Sequence, residues 1–526
     1  MSVENKIGRV INTIIIAVYI VVAGLLLLNN LVYGDMLYPL KKYFVWPNID
    51  VFLIGVAVIL LGFFIYKFVK FRIAKPVIFI LTALLFIAQC FIFYNILFIT
   101  RTWDAGQVFL QARNLAHDRM SLVNLFYFSA FPNNMWIMAI ITGIIECAEF
   151  FGIKTIESQL YVIVIIQSIL STVTGYLTYR IVEKKTDNTN YGIIAWLIYV
   201  VLVGLSAQTI VPYTDMMSLL FPTLVIFIYQ KMDNERFAVV KWGLIVLLSY
   251  IGYKIKPTVI IVLIAIVGVT FINEIFCLNK TKLIKTAKLL GASVVAIAVG
   301  LGLNLLVNLS LNIPVINEFN TGPIHMLMMG SNEVTNGSFY IRDAELSENI
   351  LDKEQRKGTQ QWVLSQRFNS RTDEDIFKFY QKKALMIFND GTYAVGEEAG
   401  YYNVMFPDKI PEVSFNLKSW YYKGGMYFYI SSMIQQGVWI FVLLLNVLLI
   451  FTKKNKLNAV LATSLIGIIL FDLLFEARAR YLLIYAPLYI MAAVSALQGV
   501  YDKVDTFFVW CKNRSAKKKE EVDIFD

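Results

Sequence analysis

Two aspartates are candidate catalytic groups because each lies where an apolar stretch gives way to polar sequence. Asp104 follows a long apolar run, and Asp215 follows another. A carboxylate held against apolar walls can have a raised pKa and act as a general base. The alternative for each residue is a helix cap, because Asp is a favoured N-cap residue. Two such carboxylates would form a paired acid site, and their separation in sequence leaves their proximity a hypothesis.

Two pairs of basic residues have the chemistry to bind a phosphate group. Lys254 and Lys256 lie in a turn between apolar runs, and Arg478 and Arg480 follow Glu476 in another turn. Lysine binds phosphate as a point charge, and arginine binds it through two parallel hydrogen bonds. Contact with anionic lipid is the alternative for the lysines. An i, i+4 ion pair between Glu476 and Arg480 is the alternative for the arginines. The pattern favours at least one functional arginine.

Other polar residues carry weaker signals. His325 has no acidic or cysteine neighbour that would complete a metal site, so a structural role competes with substrate positioning. Glu397 and Glu398 are typical of solvated loop acids. The four cysteines are scattered and form no C-x-x-C pair, which disfavours both a disulfide framework and a zinc site. They are Cys90, Cys147, Cys277 and Cys511.

The composition of the chain indicates what must position these groups. Of its 526 residues, 58% are hydrophobic and only 16% are charged, and its mean hydropathy is +0.63. A soluble domain carries about 25% charged residues. Too few charges are present to cover the surfaces of several soluble domains. The composition therefore excludes a cytosolic globular enzyme and a disordered protein, and it predicts a polytopic membrane protein.

About twelve apolar runs are long enough to cross a bilayer, whose core takes about 20 residues of helix. A further run, 135–151, is ambiguous between a crossing helix and a helix that lies along the membrane surface. The predicted spans are 10–32, 51–66, 77–99, 159–179, 191–211, 216–229, 237–252, 258–275, 285–309, 426–451, 457–475 and 481–500.

The basic residues predict the orientation of these spans. Loops rich in Lys and Arg face the cytoplasm, and Lys6 with Arg9 therefore puts the N-terminus there. If 135–151 lies along the outer surface, almost every later basic cluster is also cytoplasmic. Lys41 and Lys42 are the exception. The net charge of +10 is thus typical of cytoplasmic loops rather than of nucleic-acid binding. The cytoplasmic clusters are 180–185, 231–236, 280–285, 453–456 and 517–519.

This topology predicts an all-α polytopic membrane protein with two large outer features. One is the loop 101–157 with its surface helix, and the other is an α or α/β insertion at 314–425. The insertion carries 12 basic and 15 acidic residues, and its net charge of −3 leaves +13 for the rest of the chain. The predicted units are an N-terminal hairpin (1–76), a transmembrane core (77–313), the insertion (314–425), C-terminal helices (426–500) and a cytoplasmic tail (501–526).

The order of these features resembles the GT-C superfamily of membrane glycosyltransferases, in the branch of protein O-mannosyltransferases and lipid A aminoarabinose transferases. The resemblance covers roughly Val77 to Val500, and no single motif in it is longer than six residues. A similar segment to 325–330 occurs in bacterial cell-envelope members. The matching motifs are Asp104 in the first outer loop, Pro132-Asn133 before a juxtamembrane helix, Tyr213-Thr214-Asp215, Lys256-Pro257 and Arg480-Tyr481.

The resemblance implies an inverting glycosyltransferase at the outer face of the plasma membrane. The donor would be a polyprenyl-phosphate sugar, and the acceptor a teichoic acid, a polysaccharide, a protein or a lipid of the cell envelope. Asp104 would be the general base, and Asp215 would be a second catalytic acid that positions substrate. The resemblance further implies donor-phosphate binding by Lys254 or Lys256 with Arg478 or Arg480, and substrate positioning by His325, Asn133, Tyr213 and Glu476.

No cofactor is firmly implied. Asp104 stands alone where an Asp-x-Asp or Glu-x-Asp pair would suit a divalent metal, so a metal has no paired-acid motif to support it. Membrane lipids are expected partners, and nucleic acid is not. Two other functions stay open from the residues: a transporter or flippase of lipid-linked sugars, and a non-catalytic membrane protein of envelope assembly.

Overall fold

Long apolar helices form most of the protein. The computed structural model describes residues 3–34, 48–69, 74, 76–99, 103–117, 122–232, 237–274, 280–395 and 404–523. Within these residues, 10 helices are long and apolar enough to cross a membrane, and two shorter apolar helices accompany them. The prediction of a helical polytopic membrane protein is therefore confirmed. The number of crossings, about twelve, stays a prediction.

The first half of the chain alternates long helices with short ones. Its two short apolar helices are α8 and α10, which coincide with the predicted spans 191–211 and 216–229. The helices are α1 (Val3–Tyr33), α2 (Asn48–Val69), α3 (Val77–Asn95), α4 (Asp104–Leu115), α5 (Leu122–Ala130), α6 (Met135–Phe150), α7 (Ile156–Thr186), α8 (Thr189–Tyr199), α9 (Thr214–Ser218), α10 (Leu220–Gln230), α11 (Ala238–Ile255), α12 (Ile260–Glu274) and α13 (Lys280–Leu311).

The two short apolar helices are interrupted for identifiable reasons. Helix α8 continues into a π-helical turn, Val200–Gly204, and then into a 3-10 helix, Ala207–Ile210. Helices α9 and α10 are separated at Leu219, just before Pro222. Proline has no N–H to bond the carbonyl four residues earlier, so a continuous helix cannot pass this point unchanged. These breaks leave irregular backbone beside Asp215.

The second half contains the insertion and the last helices. The described part of the insertion is helical, and it docks on the bundle through the Phe388 carbonyl, which accepts hydrogen bonds from Asn30 and Trp439. The helices are α14 (Gly322–Gly330), α15 (Ile341–Asn349), α16 (Lys353–Asn369), α17 (Asp373–Phe388), α18 (Pro411–Tyr421), α19 (Phe428–Val447), α20 (Lys456–Leu474) and α21 (Ala486–Asp523).

A short antiparallel ladder adds a second tie between the insertion and the bundle. Strand β1, Phe98–Ile99, follows α3, and it pairs with strand β2, Val404–Met405. The residues 396–403, which include Glu397 and Glu398, lie outside the described residues. Arg101, Lys41, Lys42 and Cys277 also lie outside them.

Basic clusters lie at one end of the helix bundle, and the candidate site residues lie at the other. At one end, Lys184 near the end of α7 donates to the Gln230 carbonyl at the end of α10. At that same end, Lys456 at the start of α20 contacts Glu274 at the end of α12. These are clusters that the positive-inside rule assigns to the cytoplasm. Asp104, Asp215, Lys256 and Arg480 lie at the opposite ends of these helices or of their neighbours, which we call the site end.

Helix α6 is the element with the ambiguous membrane position. It has 16 residues, fewer than the roughly 20 that cross a bilayer core. One face of it is buried, and Thr142 on that face lies against the Ala112 carbonyl of α4. Glu149 accepts a hydrogen bond from Gln159 of α7. Its interfacial placement stays a prediction, and the helix holds α4 in place at the site end.

Candidate functional site

Five side chains from distant parts of the sequence meet at the site end, and we call them the polar cluster. Asp104 is the first residue of α4, Tyr213 and Asp215 stand at the start of α9, Lys256 follows α11, and Arg480 lies in the 3-10 helix Ala479–Tyr485. Each position is the end of a helix or an irregular turn. The cluster therefore depends on the packing of four separate segments of the bundle.

Asp215 forms ion pairs with two cations inside the protein. Its Oδ1 lies 2.5 Å from the Lys256 Nζ, and its Oδ2 lies 3.9 Å from the Arg480 Nε. The exposed fractions of the three residues are 4% for Asp215, 6% for Lys256 and 6% for Arg480. Buried charges need partners because the interior solvates them poorly. Asp215 is therefore the acid that pairs with both cations, and Asp104 is the second acid of the cluster.

Aromatic rings hold the two cations in place. The guanidinium carbon of Arg480 lies 4.1 Å from the centroid of the Trp103 ring, and the Lys256 Nζ lies 4.5 Å from that of the Tyr481 ring. Both distances are within the range of cation–π attraction. The rings therefore restrain the position of each cation. The two cations therefore form one wall of the polar cluster, which we call the cation wall.

Asp104 is linked to the cation wall through Tyr213, whose ring centroid lies 5.6 Å from the Arg480 guanidinium carbon. Its Oδ1 accepts a 2.8 Å hydrogen bond from the Tyr127 hydroxyl, and its Oδ2 accepts a 3.2 Å bond from the Tyr213 hydroxyl. Burial raises the pKa of both tyrosines, and the charge of Asp104 raises it further, so both hydroxyls stay protonated and donate. Asp104 itself is partly exposed. It is thus an oriented carboxylate that solvent or substrate can reach.

The helix-cap alternative does not describe either aspartate. Trp103 and Tyr213 occupy the N-cap positions of α4 and α9, and neither helix has a side-chain cap hydrogen bond. The carboxylates of Asp104 and Asp215 bind tyrosine hydroxyls and cations instead. Tyr213 connects the two aspartates, because it directly precedes α9, which carries Asp215, and its hydroxyl donates to Asp104.

Lys254 and Arg478 differ from their neighbours in the predicted basic pairs. The Lys254 Nζ is half-exposed and lies 5.9 Å from the centroid of the Tyr250 ring on its own helix. The Arg478 Nε lies 3.2 Å from an oxygen of Glu476, whose other oxygen accepts from the Tyr481 hydroxyl. Arg478 has extended backbone before the 3-10 helix, so this turn is irregular. Within each predicted pair, Lys256 and Arg480 are the residues that contact Asp215.

His325 lies in the core of the insertion beside the cluster. Its Nδ1 lies 2.8 Å from the Ser347 hydroxyl oxygen, and its ring centroid lies 6.2 Å from that of Phe131. Burial lowers the pKa of His325, and the charges of Glu476 and Asp343 partly oppose that effect. The imidazole is therefore neutral at pH 7, and it joins the insertion to the loop that carries Tyr127.

Several contacting residues carry no distinctive signal in the sequence. Asn134 donates to the Tyr127 hydroxyl and accepts from the Tyr213 hydroxyl, whereas its predicted neighbour Asn133 is exposed and donates to Asn134. The only sequence signal for Asn134 was its neighbour Asn133, which is a predicted site residue. Tyr127 and Trp103 had no marker in a chain that is 14% aromatic.

Glu348 of α15 is a further acid in this neighbourhood. Its pKa is raised by burial first, then by the charges of Glu345 and Asp104. The insertion contacts α5, the helix that carries Tyr127, where the Thr321 N–H donates to the Ala130 carbonyl at 3.2 Å. The part of the chain that the structure describes holds no group of three or more His, Cys, Asp and Glu that could bind a metal ion.

Comparison with known families assigns the chain at the level of its architecture. A family model described as "Conserved hypothetical integral membrane protein" matches residues 1–500. The chain belongs to this family. No curated protein matches it. The family description agrees with the 10 candidate membrane helices, and it names no reaction.

Proposed function

We propose that this protein is a membrane glycosyltransferase that moves a sugar from a polyprenyl-phosphate donor to a cell-envelope acceptor. The observation that carries the proposal is the pairing of an oriented, partly exposed carboxylate, Asp104, with a buried cation wall, Lys256 and Arg480. The resemblance of the sequence to the GT-C superfamily adds support. The reaction would take place at the outer face of the plasma membrane, with about twelve membrane crossings.

The cation wall has the chemistry to hold a donor phosphate. A lysine ammonium and an arginine guanidinium bind phosphate oxygens by charge-assisted hydrogen bonds, which are stronger than neutral ones. Asp215 already occupies the space between the cations. A bound phosphate would therefore take over part of its contacts. The same charges would stabilise the phosphate when it leaves the sugar.

Asp104 has the position and access that a general base needs. In the proposed step it accepts the proton of an acceptor hydroxyl while that oxygen attacks the anomeric carbon. The bond between that carbon and the phosphate oxygen breaks, and the lipid phosphate leaves with the bonding electron pair. Attack from the face opposite the phosphate inverts the anomeric centre. Tyr127 and Tyr213 keep the carboxylate oriented through the hydrogen bonds they donate.

The other candidate residues take supporting roles in this proposal. Glu476 orients Arg478 and Tyr481 beside the cation wall. His325 and Asn133 act indirectly, through Ser347 and Asn134, and they fix the insertion and the first loop around Asp104. Lys254 is left for lipid contact at the helix end. The insertion covers the site and helps to choose the acceptor.

A reconstituted assay separates this enzyme from a transporter. Purified protein in lipid vesicles is given a polyprenyl-phosphate sugar that carries a radiolabel in the sugar, together with extracted cell-envelope material. We expect labelled sugar in the acceptor and one released polyprenyl phosphate for each sugar transferred. Movement of intact labelled lipid between leaflets without release of polyprenyl phosphate would favour a flippase. Neither transfer nor movement would favour an assembly protein.

A further inference from the structure

Four side chains at the site end form a closed network of hydrogen bonds, which we call the Asp104 network. Asp104 binds the Tyr127 and Tyr213 hydroxyls through its two oxygens, and Asn134 joins those hydroxyls on their other side. The Asn134 Nδ2 donates to the Tyr127 hydroxyl at 2.8 Å, and the Asn134 Oδ1 lies 3.2 Å from the Tyr213 hydroxyl oxygen. Asn134 is 2% exposed and Tyr213 is 7% exposed. These contacts connect Asn134 to Asp104 through the two tyrosines.

The place of Asn134 in the fold does not account for its side-chain contacts. It occupies the N-cap position of α6, where asparagine is favoured because its side-chain oxygen can accept a helix N–H. No such cap hydrogen bond forms at this helix start. The Asn134 Oδ1 instead accepts from Asn133 at 3.3 Å and faces the Tyr213 hydroxyl. The buried amide is thus directed at the tyrosines rather than at the helix.

The two tyrosine hydroxyls differ in the acceptors that they can reach. A phenolic hydroxyl has one proton to donate. The Tyr127 hydroxyl accepts from Asn134, and among the described residues Asp104 Oδ1 is its one acceptor. The Tyr213 hydroxyl has two acceptors at the same distance of 3.2 Å, Asp104 Oδ2 and Asn134 Oδ1. It can donate to either of them, but not to both at once.

A turn of the Tyr213 hydroxyl therefore frees one oxygen of Asp104. Rotation about its C–O bond moves the hydrogen bond from Asp104 Oδ2 to Asn134 Oδ1 and leaves the heavy atoms in place. The hydroxyl keeps a partner after the turn, which matters because a buried polar group without a partner is costly. Asp104 Oδ1 stays bonded to Tyr127, which holds the carboxylate in position. Asp104 Oδ2 then becomes open to another donor.

We infer that Oδ2 is the oxygen of Asp104 that takes the acceptor proton, and that Asn134 is the positioning residue that makes this oxygen available. This inference rests on the proposed function and deepens it. The acceptor hydroxyl donates to Oδ2 once the Tyr213 hydroxyl has turned to Asn134. As the acceptor oxygen attacks the anomeric carbon, its proton passes to Oδ2. The lipid phosphate leaves with the electron pair of the broken C–O bond.

Asn134→Leu tests this role, because leucine has the same branched shape and no polar atoms. Tyr213 would then have to lose a hydrogen bond before Oδ2 became open, and one hydrogen bond changes an equilibrium by about tenfold. We expect kcat for sugar transfer in vesicles to fall by about tenfold and polyprenyl-phosphate affinity to stay within about twofold of wild type. Asn114→Leu, an exposed change on α4, is the matched control. An unchanged kcat in Asn134→Leu would overturn the inference.

Removal of each tyrosine hydroxyl in turn identifies the oxygen that reacts. In a Tyr213→Phe background Oδ2 has no donor to release, so Asn134→Leu should change kcat by less than about twofold. In a Tyr127→Phe background the same substitution should still lower kcat by about tenfold. The reverse pattern would make Oδ1 the reacting oxygen, and equal losses in both backgrounds would make Asn134 a packing residue. Either of these results would overturn the inference.

Controls on folding and on Asp104 separate this inference from the proposed function. Thermal unfolding in detergent and polyprenyl-phosphate affinity are measured for every variant, since a purely structural role of Asn134 would change them along with kcat. If Asn134→Leu does not fold, Asn134→Ala takes its place with the same expectations. Release of polyprenyl phosphate that Asp104→Asn abolishes, but that is equal in wild type and Asn134→Leu, would overturn the inference alone. No Asp104-dependent release from the wild-type protein would overturn the proposed function.

Discussion

Two buried groups of charges in this protein have the same chemistry and different geometry. In the insertion, Arg367 binds both oxygens of Asp343 at 2.7 and 3.0 Å, and Asn332 donates to the same carboxylate. In the polar cluster, Lys256 binds Asp215 at 2.5 Å, but the Arg480 Nε lies 3.9 Å from it. In the first group, both oxygens of Asp343 accept hydrogen bonds. In the second group, Arg480 lies beyond hydrogen-bond distance of Asp215.

This difference indicates that the Arg367–Asp343 pair stabilises the fold, whereas the ion pairs of Asp215 can exchange a contact for one with a ligand. A saturated bidentate pair has nothing to gain from a ligand, and its loss leaves a buried charge. A carboxylate between two cations, each of them held on an aromatic ring, can yield contacts to an incoming anion. The position of each group agrees with this distinction, because Asp343 lies inside the insertion and Asp215 lies at the meeting point of four segments.

Replacement of the base should have the largest effect. Asp104→Asn keeps the size of the side chain, and its amide oxygen can still accept one of the two tyrosine hydrogen bonds, but the substitution removes the proton acceptor. Sugar transfer should fall by about 100- to 10,000-fold, the contribution typical of a general base. Radiolabel transfer measures the rate, and thermal unfolding in detergent should show a transition close to that of wild type. Wild-type activity in this variant would remove Asp104 as the base.

Loss of the saturated pair should reduce stability strongly. Arg367→Gln leaves the Asp343 carboxylate buried with Asn332 as a remaining donor, and breaking a buried pair costs about 3–5 kcal/mol. We expect earlier unfolding of the insertion, measured by proteolysis of the full-length protein with increasing urea. Arg342→Gln, an exposed change on α15 next to Asp343, is the matched control. Equal stability of Arg367→Gln and Arg342→Gln would contradict the structural role.

Loss of a cation from the wall should reduce affinity more than stability. Arg480→Gln leaves Asp215 paired with Lys256, so no carboxylate is orphaned. Loss of a charge-assisted bond of about 1.5–3 kcal/mol should weaken polyprenyl-phosphate binding by about 10- to 100-fold. Isothermal titration in detergent measures the affinity, with Lys357→Gln on the exposed face of α16 as the control. If Arg480→Gln lost as much stability as Arg367→Gln and kept the wild-type affinity for polyprenyl phosphate, both groups of charges would have the same structural role.

The pH dependence of stability should show a smaller effect from Lys383. This buried lysine of α17 donates to the carbonyls of Gly330 and Phe475, and burial lowers its pKa from 10.5 to about 7. Between those two values the unfolded chain binds one more proton than the folded protein, so stability rises with pH across this window. The maximum slope is about 1.4 kcal/mol per pH unit.

Lys383→Met tests that slope directly. We expect the variant to lose the rise in unfolding free energy between pH 7 and higher pH, whereas Lys382→Met, at the neighbouring position, should keep it. Urea unfolding of the insertion at a series of pH values measures the slope. The same pH dependence in wild type and Lys383→Met would show that another group is responsible.

The sequence alone singled out the charged members of the polar cluster because charges are scarce in an apolar chain. Asp215, Lys256 and Arg480 stood out at the ends of predicted spans, and the structure brings these three side chains together. Tyr127 and Asn134 could not be found this way, because neutral aromatic and amide residues are common in membrane helices and loops. Glu348 was hidden among the many charges of the insertion, where only packing distinguishes one acid from another.

The same division applies to the helices: the apolar pattern of the sequence indicates where each helix lies, and local geometry determines where it breaks. Each predicted span coincides with an apolar helix because hydropathy alone determines where an apolar run lies. The breaks in α8 and between α9 and α10 depend on local backbone geometry, and only Pro222 marked one of them. The pairing of β1 with β2 joins residues about 300 positions apart, which no local pattern indicates.

Donor binding and turnover, measured together on the same variant, test the division of roles most directly. For Asp104→Asn in vesicles, polyprenyl-phosphate binding is titrated and the release of polyprenyl phosphate from the sugar donor is followed in a single turnover. We predict affinity within about twofold of wild type and almost complete loss of release, because the cation wall binds and Asp104 reacts. Release at the wild-type rate in this variant would contradict the account.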